Sequence, residues 1–241
     1  MIKLNNISVS IDQKPILSNI SFDLKPGQIT ALMGPNGSGK SSVAYTLAGH
    51  PDYQITSGEI IFNKKNINNL SPDKRAVLGL FLANQSPIAI PGLNVKNFLW
   101  QLYKNHHPDK TLTLSEFRNL LETEAKYLDI KNELLDRSLN DGFSGGERKK
   151  MEVLQMVITE PKFIILDEID SGLDVDALKF ISQRIKKLAT DLNLSILIIT
   201  HFAKILDYLK PTQVIILKKG QIKTIGDADL INQVEKLGFK D

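Results

Sequence analysis

The 241-residue chain contains no cysteine, which excludes disulfides, thiolate metal sites and cysteine nucleophiles. It also has little charge of one sign, because 30 Lys and Arg against 27 Asp and Glu leave a net charge of +3. A charge this small does not favour a nucleic-acid-binding protein. Its longest apolar runs fall far short of the ~20 residues that a membrane span needs, so we expect no direct membrane insertion.

The composition is otherwise typical of a globular protein, with 42% hydrophobic and 24% charged residues. Met1 leads directly into a strand-like pattern, and neither the basic nor the apolar region of a signal peptide precedes it. We therefore expect a cytoplasmic protein.

Hydrophobic periodicity separates strand-rich ends from a helical middle. Residues 2–11 alternate apolar and polar, as half-buried strands do. Phe163–Leu166 is a continuous apolar run, which is typical of a strand covered on both faces of a parallel sheet. We predict one α/β domain over residues 1–241, with a catalytic core at 1–86 and 160–241 and an inserted helical subdomain at 87–159.

A glycine-rich stretch between a predicted strand and a predicted helix carries the clearest chemical signal. It matches the phosphate-binding pattern G-x-x-x-x-G-K-[ST], in which backbone N–H groups and a helix N-terminus surround phosphate oxygens. We expect Lys40 to reach the β- and γ-phosphates and the Ser41 hydroxyl to bind Mg²⁺. The candidate phosphate-binding residues are Gly34, Pro35, Asn36, Gly37, Ser38, Gly39, Lys40, Ser41 and Ser42.

Two carboxylates end the apolar run that begins at Phe163. Asp167 can hold the hydration shell of Mg²⁺, and Glu168 can orient or deprotonate an attacking water. Gln85 follows another apolar run and can contact both Mg²⁺ and that water, while His201 can contact the γ-phosphate. Taken singly, Gln85 is equally compatible with a solvated glutamine and His201 with an ordinary strand-end histidine.

Two further motifs, when taken alone, are also compatible with a purely structural role. Ser144 and Glu147 have capping-box spacing, so they begin a helix. The glycines between them leave the positive end of that helix open to a γ-phosphate, although an ordinary capped helix fits equally well. The second motif follows Glu168 and could be a simple turn; it is Ser171, Gly172, Leu173 and Asp174.

The order of these motifs resembles that of ATP-binding cassette (ABC) ATPases over essentially the whole chain. The resemblance implies a RecA-like phosphate-binding core with N-terminal antiparallel strands, and ATP hydrolysis with Mg²⁺. It also implies a head-to-tail dimer of two copies, whose D-loops are residues 171–174. ATP would then lie between the 34–41 loop of one copy and four residues of the other, which are Ser144, Gly145, Gly146 and Glu147.

Several stretches are similar to the SufC family, the ATPases of the SUF iron–sulfur cluster assembly system. Asp141–Lys150 carries Phe and Glu where transporter ATPases usually have L-S-G-G-Q, and Asp170–Lys179 lacks the proline common after the transporter D-loop. This similarity implies SufB and SufD scaffold proteins as partners, reshaped by ATP-driven dimerisation. The lack of cysteine agrees, because this chain cannot itself hold a cluster by thiolates.

Two alternatives stay open: the ATP-binding subunit of a membrane transporter, and a nucleotide-dependent interaction module with little turnover. Glu168 and His201 argue against the second. One departure from the family is Ile11, at the position where many ABC ATPases stack adenine on an aromatic ring, which predicts weaker stacking. Finally, we expect Arg148–Lys150 to be solvated charge and His106-His107 to lie in a surface loop.

Overall fold

The computed structural model describes residues 1–200 and 203–239. The strands are β1 (Ile2–Ile11), β2 (Lys14–Leu24), β3 (Ile29–Met33), β4 (Gln54–Phe62), β5 (Lys65–Asn66), β6 (Leu80–Ala83), β7 (Ile90–Asn94), β8 (Ser138–Leu139), β9 (Phe163–Asp167), β10 (Ser195–Ile199), β11 (Gln213–Lys218) and β12 (Gln221–Gly226). The helices are α1 (Lys40–Ala48), α2 (Pro72–Val77), α3 (Val95–His106), α4 (Leu114–Tyr127), α5 (Asn132–Leu135), α6 (Gly145–Thr159), α7 (Val175–Leu192), α8 (Ala203–Leu209) and α9 (Asp229–Leu237).

The strands form two main sheets. β2, β1, β4 and β5 pair in that order as an antiparallel sheet. The second sheet has the order β12-β11-β3-β10-β9-β6, in which all neighbours are parallel except the β11–β12 hairpin. The helical middle differs from the prediction in one respect, because β7 and β8 pair as a small antiparallel sheet inside it.

β9 is buried on both faces, as its continuous apolar run predicts. Phe163 and Ile165 pack into a cluster with the antiparallel sheet and α1. Ile164 and Leu166 point the other way, into a cluster that includes α3, α4, α6 and α7. Successive side chains of a strand face opposite sides of the sheet, so each face needs its own apolar set.

The sheet order places the candidate site. β3, β10, β9 and β6 run parallel, so their carboxyl ends lie at one edge of the sheet. Residues that follow these strands meet there, which is where open α/β sheets bind ligands. The division of the chain at residues 86 and 160 stays a prediction. None of the helices in the described part of the chain combines the length and the apolar character needed to cross a lipid bilayer.

Candidate active site

The loop between β3 and α1 is shaped by its glycines. Gly39 precedes α1 with φ 102°, a conformation that side chains disfavour, and it leaves the helix N-terminus without a side-chain cap. A Cβ on Gly34 would lie 2.1 Å from the carbonyl oxygen of Leu217. The backbone can therefore curl tightly in front of the helix, as a phosphate-binding loop requires.

Lys40 is buried under this loop. Its Nζ donates hydrogen bonds to the carbonyl oxygens of Gly34 (2.9 Å) and Pro35 (3.1 Å). Burial lowers the pKa of Lys40, while the charges of Glu168 and Asp167 oppose that shift. The ammonium is thus held under the loop, between its carbonyls and the carboxylates at the end of β9.

Ser41 and Asp167 supply neighbouring oxygen atoms. The Ser41 hydroxyl donates to Asp167 Oδ1 over 3.3 Å, and Asp167 is only 2% exposed. Burial raises the pKa of Asp167, and the hydrogen bond from Ser41 partly counters this. Hydroxyl and carboxylate oxygens fit Mg²⁺. Among the described residues, no group of three or more His, Asp and Glu side chains is placed to hold a metal ion.

Gln85 and Glu168 meet across the edge of the sheet. The side-chain Nε2 of Gln85 donates a hydrogen bond to Glu168 Oε2. Glu168 has a φ of 49°, and its backbone N–H donates to Ile199 O over 2.9 Å. Strand β9 has thus ended before Glu168, and the Glu168 side chain turns towards the phosphate-binding loop. Both residues line a cavity of about 460 Å³ with Ile16, Asn36, Gly37, Gly39, Lys40, Ser41 and Ser42.

The aliphatic side chain at this cavity is not the one that the sequence indicated. Ile16 on β2 lines the cavity, whereas Ile11 at the end of β1 is not among the described residues that do. The antiparallel β1–β2 hairpin brings the start of β2 to this cavity. If the cavity takes a nucleotide base, its aliphatic contact would therefore be Ile16.

The capping box that the sequence predicts at α6 is present. Ser144 Oγ accepts from the backbone N–H of Glu147 (3.2 Å), and Ser144 N–H donates to Glu147 Oε2 (2.8 Å). A Cβ on Gly145 would meet no atom within 4 Å. Among the described residues, neither this helix start nor its glycines line the cavity at Lys40. The structure therefore does not bring these residues to the phosphate-binding loop of their own chain.

The residues predicted as the D-loop, 171–174, come shortly after the end of β9. The backbone N–H of Ser171 donates to Glu168 O over 3.1 Å, and Asp174 caps α7 by accepting from Ala177 N at 2.7 Å. Gly172 and Leu173 lie between them. His201 falls outside the described residues, so its predicted contact with the γ-phosphate stays a prediction.

Two expectations of exposed side chains are wrong. Lys149 is 3% exposed, and its Nζ donates to Asn84 O (2.7 Å) and Gln85 O (2.8 Å). It lies on the buried face of α6, and the helical spacing of Lys149, Val153 and Met156 could have indicated this. His107 follows α3 directly with a side chain that is 8% exposed, and its Nε2 lies 2.9 Å from Ile158 O.

Comparison with known proteins agrees with this geometry. Residues 17–171 match the family described as "ABC transporter". The chain is 43% identical to "Probable ATP-dependent transporter SufC" of Escherichia coli (strain K12), over 99% of this chain and 97% of that protein. It is 41% identical to "Probable ABC transporter ATP-binding protein spyM18_0273" of Streptococcus pyogenes serotype M18 (strain MGAS8232), over 99% of this chain and 93% of that protein.

The fold also matches solved structures. One is "Dimeric structure of a post-hydrolysis state of the ATP-binding cassette MJ0796 bound to ADP and Pi", with a TM-score of 0.80 and 21% identity. The match covers 94% of this chain and 98% of that one. The predicted α/β cassette fold and the predicted similarity to SufC are both confirmed.

Proposed function

Because the chain belongs to the ABC transporter family and is an ATPase, we propose that it hydrolyses ATP to drive iron–sulfur cluster assembly on a SufB–SufD scaffold in the cytoplasm. Membership of this family establishes that the chain is an ATPase. The assembly role is supported by the 43% identity to SufC and by the absence of cysteine, which suits the motor of such a system and not its scaffold.

The convergence of four side chains on one cavity, with Asp167 hydrogen-bonded to one of them, carries the catalytic part of the proposal. Lys40 and the loop N–H groups bind the β- and γ-phosphates, and Ser41 with Asp167 would hold Mg²⁺. When bound, Mg²⁺ stabilises charge on the phosphate oxygens. Glu168 orients the water, and Gln85 holds the Glu168 carboxylate by its hydrogen bond.

The reaction needs no covalent intermediate on the protein. The water oxygen attacks the γ-phosphorus in line, the bond to the oxygen that bridges the β-phosphate breaks, and the products are ADP and phosphate. Positioning and charge stabilisation supply most of the rate. Glu168 is the group placed to receive the proton of the water. In this proposal His201 contacts the γ-phosphate.

The active site is completed by a second copy. Ser144 and the open glycines of α6 present a positive helix end that does not line the cavity of their own chain. A head-to-tail dimer would place them against the γ-phosphate bound at the partner's loop. The D-loop adjoins the same edge, because Ser171 is hydrogen-bonded to the backbone of Glu168.

This chain has a surface next to Gln85 at which the scaffold could bind. A cavity of about 490 Å³ lies between α1, α2 and the Gln85 loop, and Gln85 lines both this cavity and the phosphate-binding one. Ile88 borders it with 75% of its surface exposed. A SufB- or SufD-like protein bound here would reach Glu168 through Gln85, and so could alter hydrolysis.

A detergent-free pull-down of the tagged protein from its own cells tests the assembly role. Recovery of SufB- and SufD-like proteins, lost in an Ile88→Asp variant, is the expected result. The Leu114→Asp variant is the matched control, because Leu114 is an exposed apolar residue away from the cavity.

The named similarity to transporter ATP-binding proteins makes a membrane transporter subunit the second candidate. Recovery only in the membrane fraction with a multi-span permease would establish that candidate and refute the assembly role. Negligible ATPase activity with and without partners would instead indicate a nucleotide-dependent interaction module.

A further inference from the structure

Two buried charged residues on α6 hold the backbone next to Gln85. Lys149 and Glu152 are 3% and 5% exposed and lie three residues apart on the helix. Lys149 Nζ donates to the carbonyl oxygens of Asn84 and Gln85, at 2.7 and 2.8 Å. Glu152 Oε1 accepts from the Asn84 backbone N–H at 2.9 Å. Asn84 is therefore held by α6 at both its N–H and its carbonyl.

We propose that Lys149 and Glu152 are positioning residues for ATP hydrolysis, which fix the Gln85 loop to α6 so that the Gln85 amide meets Glu168. The inference rests on the proposed role of Gln85. We refer to Lys149, Glu152 and their three hydrogen bonds to residues 84 and 85 as the α6 clamp.

The clamp leaves the Gln85 side chain available for catalysis. All three hydrogen bonds use backbone atoms of residues 84 and 85, so the Gln85 amide can donate to Glu168 Oε2. A fourth hydrogen bond reinforces the arrangement, since Asn140 Nδ2 donates to Ile88 O at 3.0 Å. The segment that carries Gln85 is thus attached to the helical side of the molecule, while its side chain reaches the sheet.

Burial of these charges argues against a purely stabilising role. Removing an ammonium and a carboxylate from water is costly, and apolar residues of similar size often stabilise a protein as well or better. The Lys149–Glu152 ion pair is long, at 3.9 Å, and Glu152 Oε2 has no hydrogen-bond partner among the described residues. What the two side chains supply is a set of directed hydrogen bonds that hold the backbone of the Gln85 loop in place.

The clamp also joins the two halves of the proposed composite site. α6 begins beside Ser144, which would face the partner's nucleotide, and it holds Gln85 in its own chain one to two turns later. A displacement of α6 would therefore move Gln85 relative to Glu168. Small misplacements of a positioning group are enough to slow a reaction strongly.

The test is a double-mutant cycle in the full-length protein, with ATPase rate and ATP affinity measured on every variant. Lys149→Met should lower kcat about tenfold with the Kd for ATP changed less than about twofold, because it misplaces Gln85 and leaves the phosphate loop intact. In a Gln85→Ala background, Lys149→Met should lower kcat by less than about twofold further. Lys150→Met is the matched control, because this neighbouring ammonium pairs with Asp129 outside the clamp.

The possible outcomes distinguish failure of the α6 clamp from failure of the proposed role of Gln85, on which the clamp rests. Additive losses in the double variant, or a loss of ATP affinity equal to the loss in kcat, would overturn the clamp alone. An unchanged kcat in Lys149→Met beside a lowered kcat in Gln85→Ala would do the same. An unchanged kcat in Gln85→Ala would overturn the role of Gln85 and the clamp with it.

Glu152 keeps the inference testable if Lys149→Met does not fold. Glu152→Gln keeps an oxygen that can accept from Asn84 N–H and should retain kcat within about twofold, whereas Glu152→Leu should lower it about tenfold. Hydrogen exchange of the Asn84 amide should be faster in Glu152→Leu than in Glu152→Gln. Equal kcat and equal exchange in the two variants would refute the clamp.

Discussion

Gln85 and Glu168 follow the ends of two neighbouring strands, and the Gln85 amide donates a hydrogen bond to the Glu168 carboxylate. β6 and β9 are parallel, and Ala83 pairs with Leu166. Each of the two residues comes two positions after this pair, so the register itself sets them side by side. The carboxylate proposed to orient the water is therefore held by an amide from the loop that follows a different strand.

The Glu168→Gln variant should bind ATP but hydrolyse it about 100- to 1,000-fold more slowly, because an amide cannot take a proton from water. ATP-bound dimers should then accumulate. Steady-state ATPase assays and sedimentation with ATP measure the two effects. Glu133→Gln is the control, since Glu133 is an exposed carboxylate on α5. Turnover close to that of the unaltered protein would remove Glu168 from its proposed role.

The Lys40→Ala variant should weaken ATP binding about 10- to 100-fold, as expected when charge-assisted hydrogen bonds are lost. The Lys40 ammonium lies within 3.1 Å of two loop carbonyls and is buried under the loop. A titration with a fluorescent ATP analogue measures the change, with Lys186→Ala as an exposed control on α7. Equal affinities in all three proteins would contradict the placement of the phosphates at this loop.

Among the residues that the structure describes, two helices begin with a capping box of the same design, and only one of the two belongs to the proposed site. Ser144 begins α6, and Thr113 begins α4 with the same pair of hydrogen bonds to Glu116. Alanine at either position should cost about 1 kcal/mol of unfolding free energy. Only Ser144→Ala should also reduce ATP-dependent dimerisation, which analytical ultracentrifugation measures. Equal dimerisation in the two variants would argue against a contact in trans.

Glu152 predicts a dependence of stability on pH. Burial raises its pKa from 4.5 to about 7, more than the opposing charge of Lys149 lowers it. Between these values the native state binds more protons than the unfolded state, so ionisation of Glu152 destabilises the fold as the pH rises. Glu152→Gln removes this effect.

The gain in unfolding free energy of Glu152→Gln over the unaltered protein should therefore grow between pH 4.5 and 7. It should level off above pH 7, after an increase of about 3 kcal/mol. Urea unfolding at pH 5, 6, 7 and 8 measures it. Glu122→Gln is the control, because Glu122 is an exposed carboxylate on α4. Its difference in unfolding free energy from the unaltered protein should not grow between pH 4.5 and 7. A gain for Glu152→Gln that is constant over this range would contradict the burial of an ionisable Glu152.

The local motifs could be predicted from the sequence because their chemistry is contiguous. The phosphate-binding loop, the two acids at the end of β9 and the capping box at Ser144 each depend on residues only a few positions apart. Alternation and continuous apolar runs indicated the strands for the same reason, since they report burial along one element.

Tertiary structure decided what depends on partners distant in the chain. Whether Lys149 is solvated or buried depends on the loop that packs on α6, which lies 64 to 65 residues earlier. Ile16, and not Ile11, lines the cavity because of the turn between β1 and β2. The sequence by itself determined which chemical groups are present and in what order. The packing of the Gln85 loop against α6 and β9 decided which of them meet, because hydrogen bonds form between atoms that are close in space, however far apart they lie along the chain.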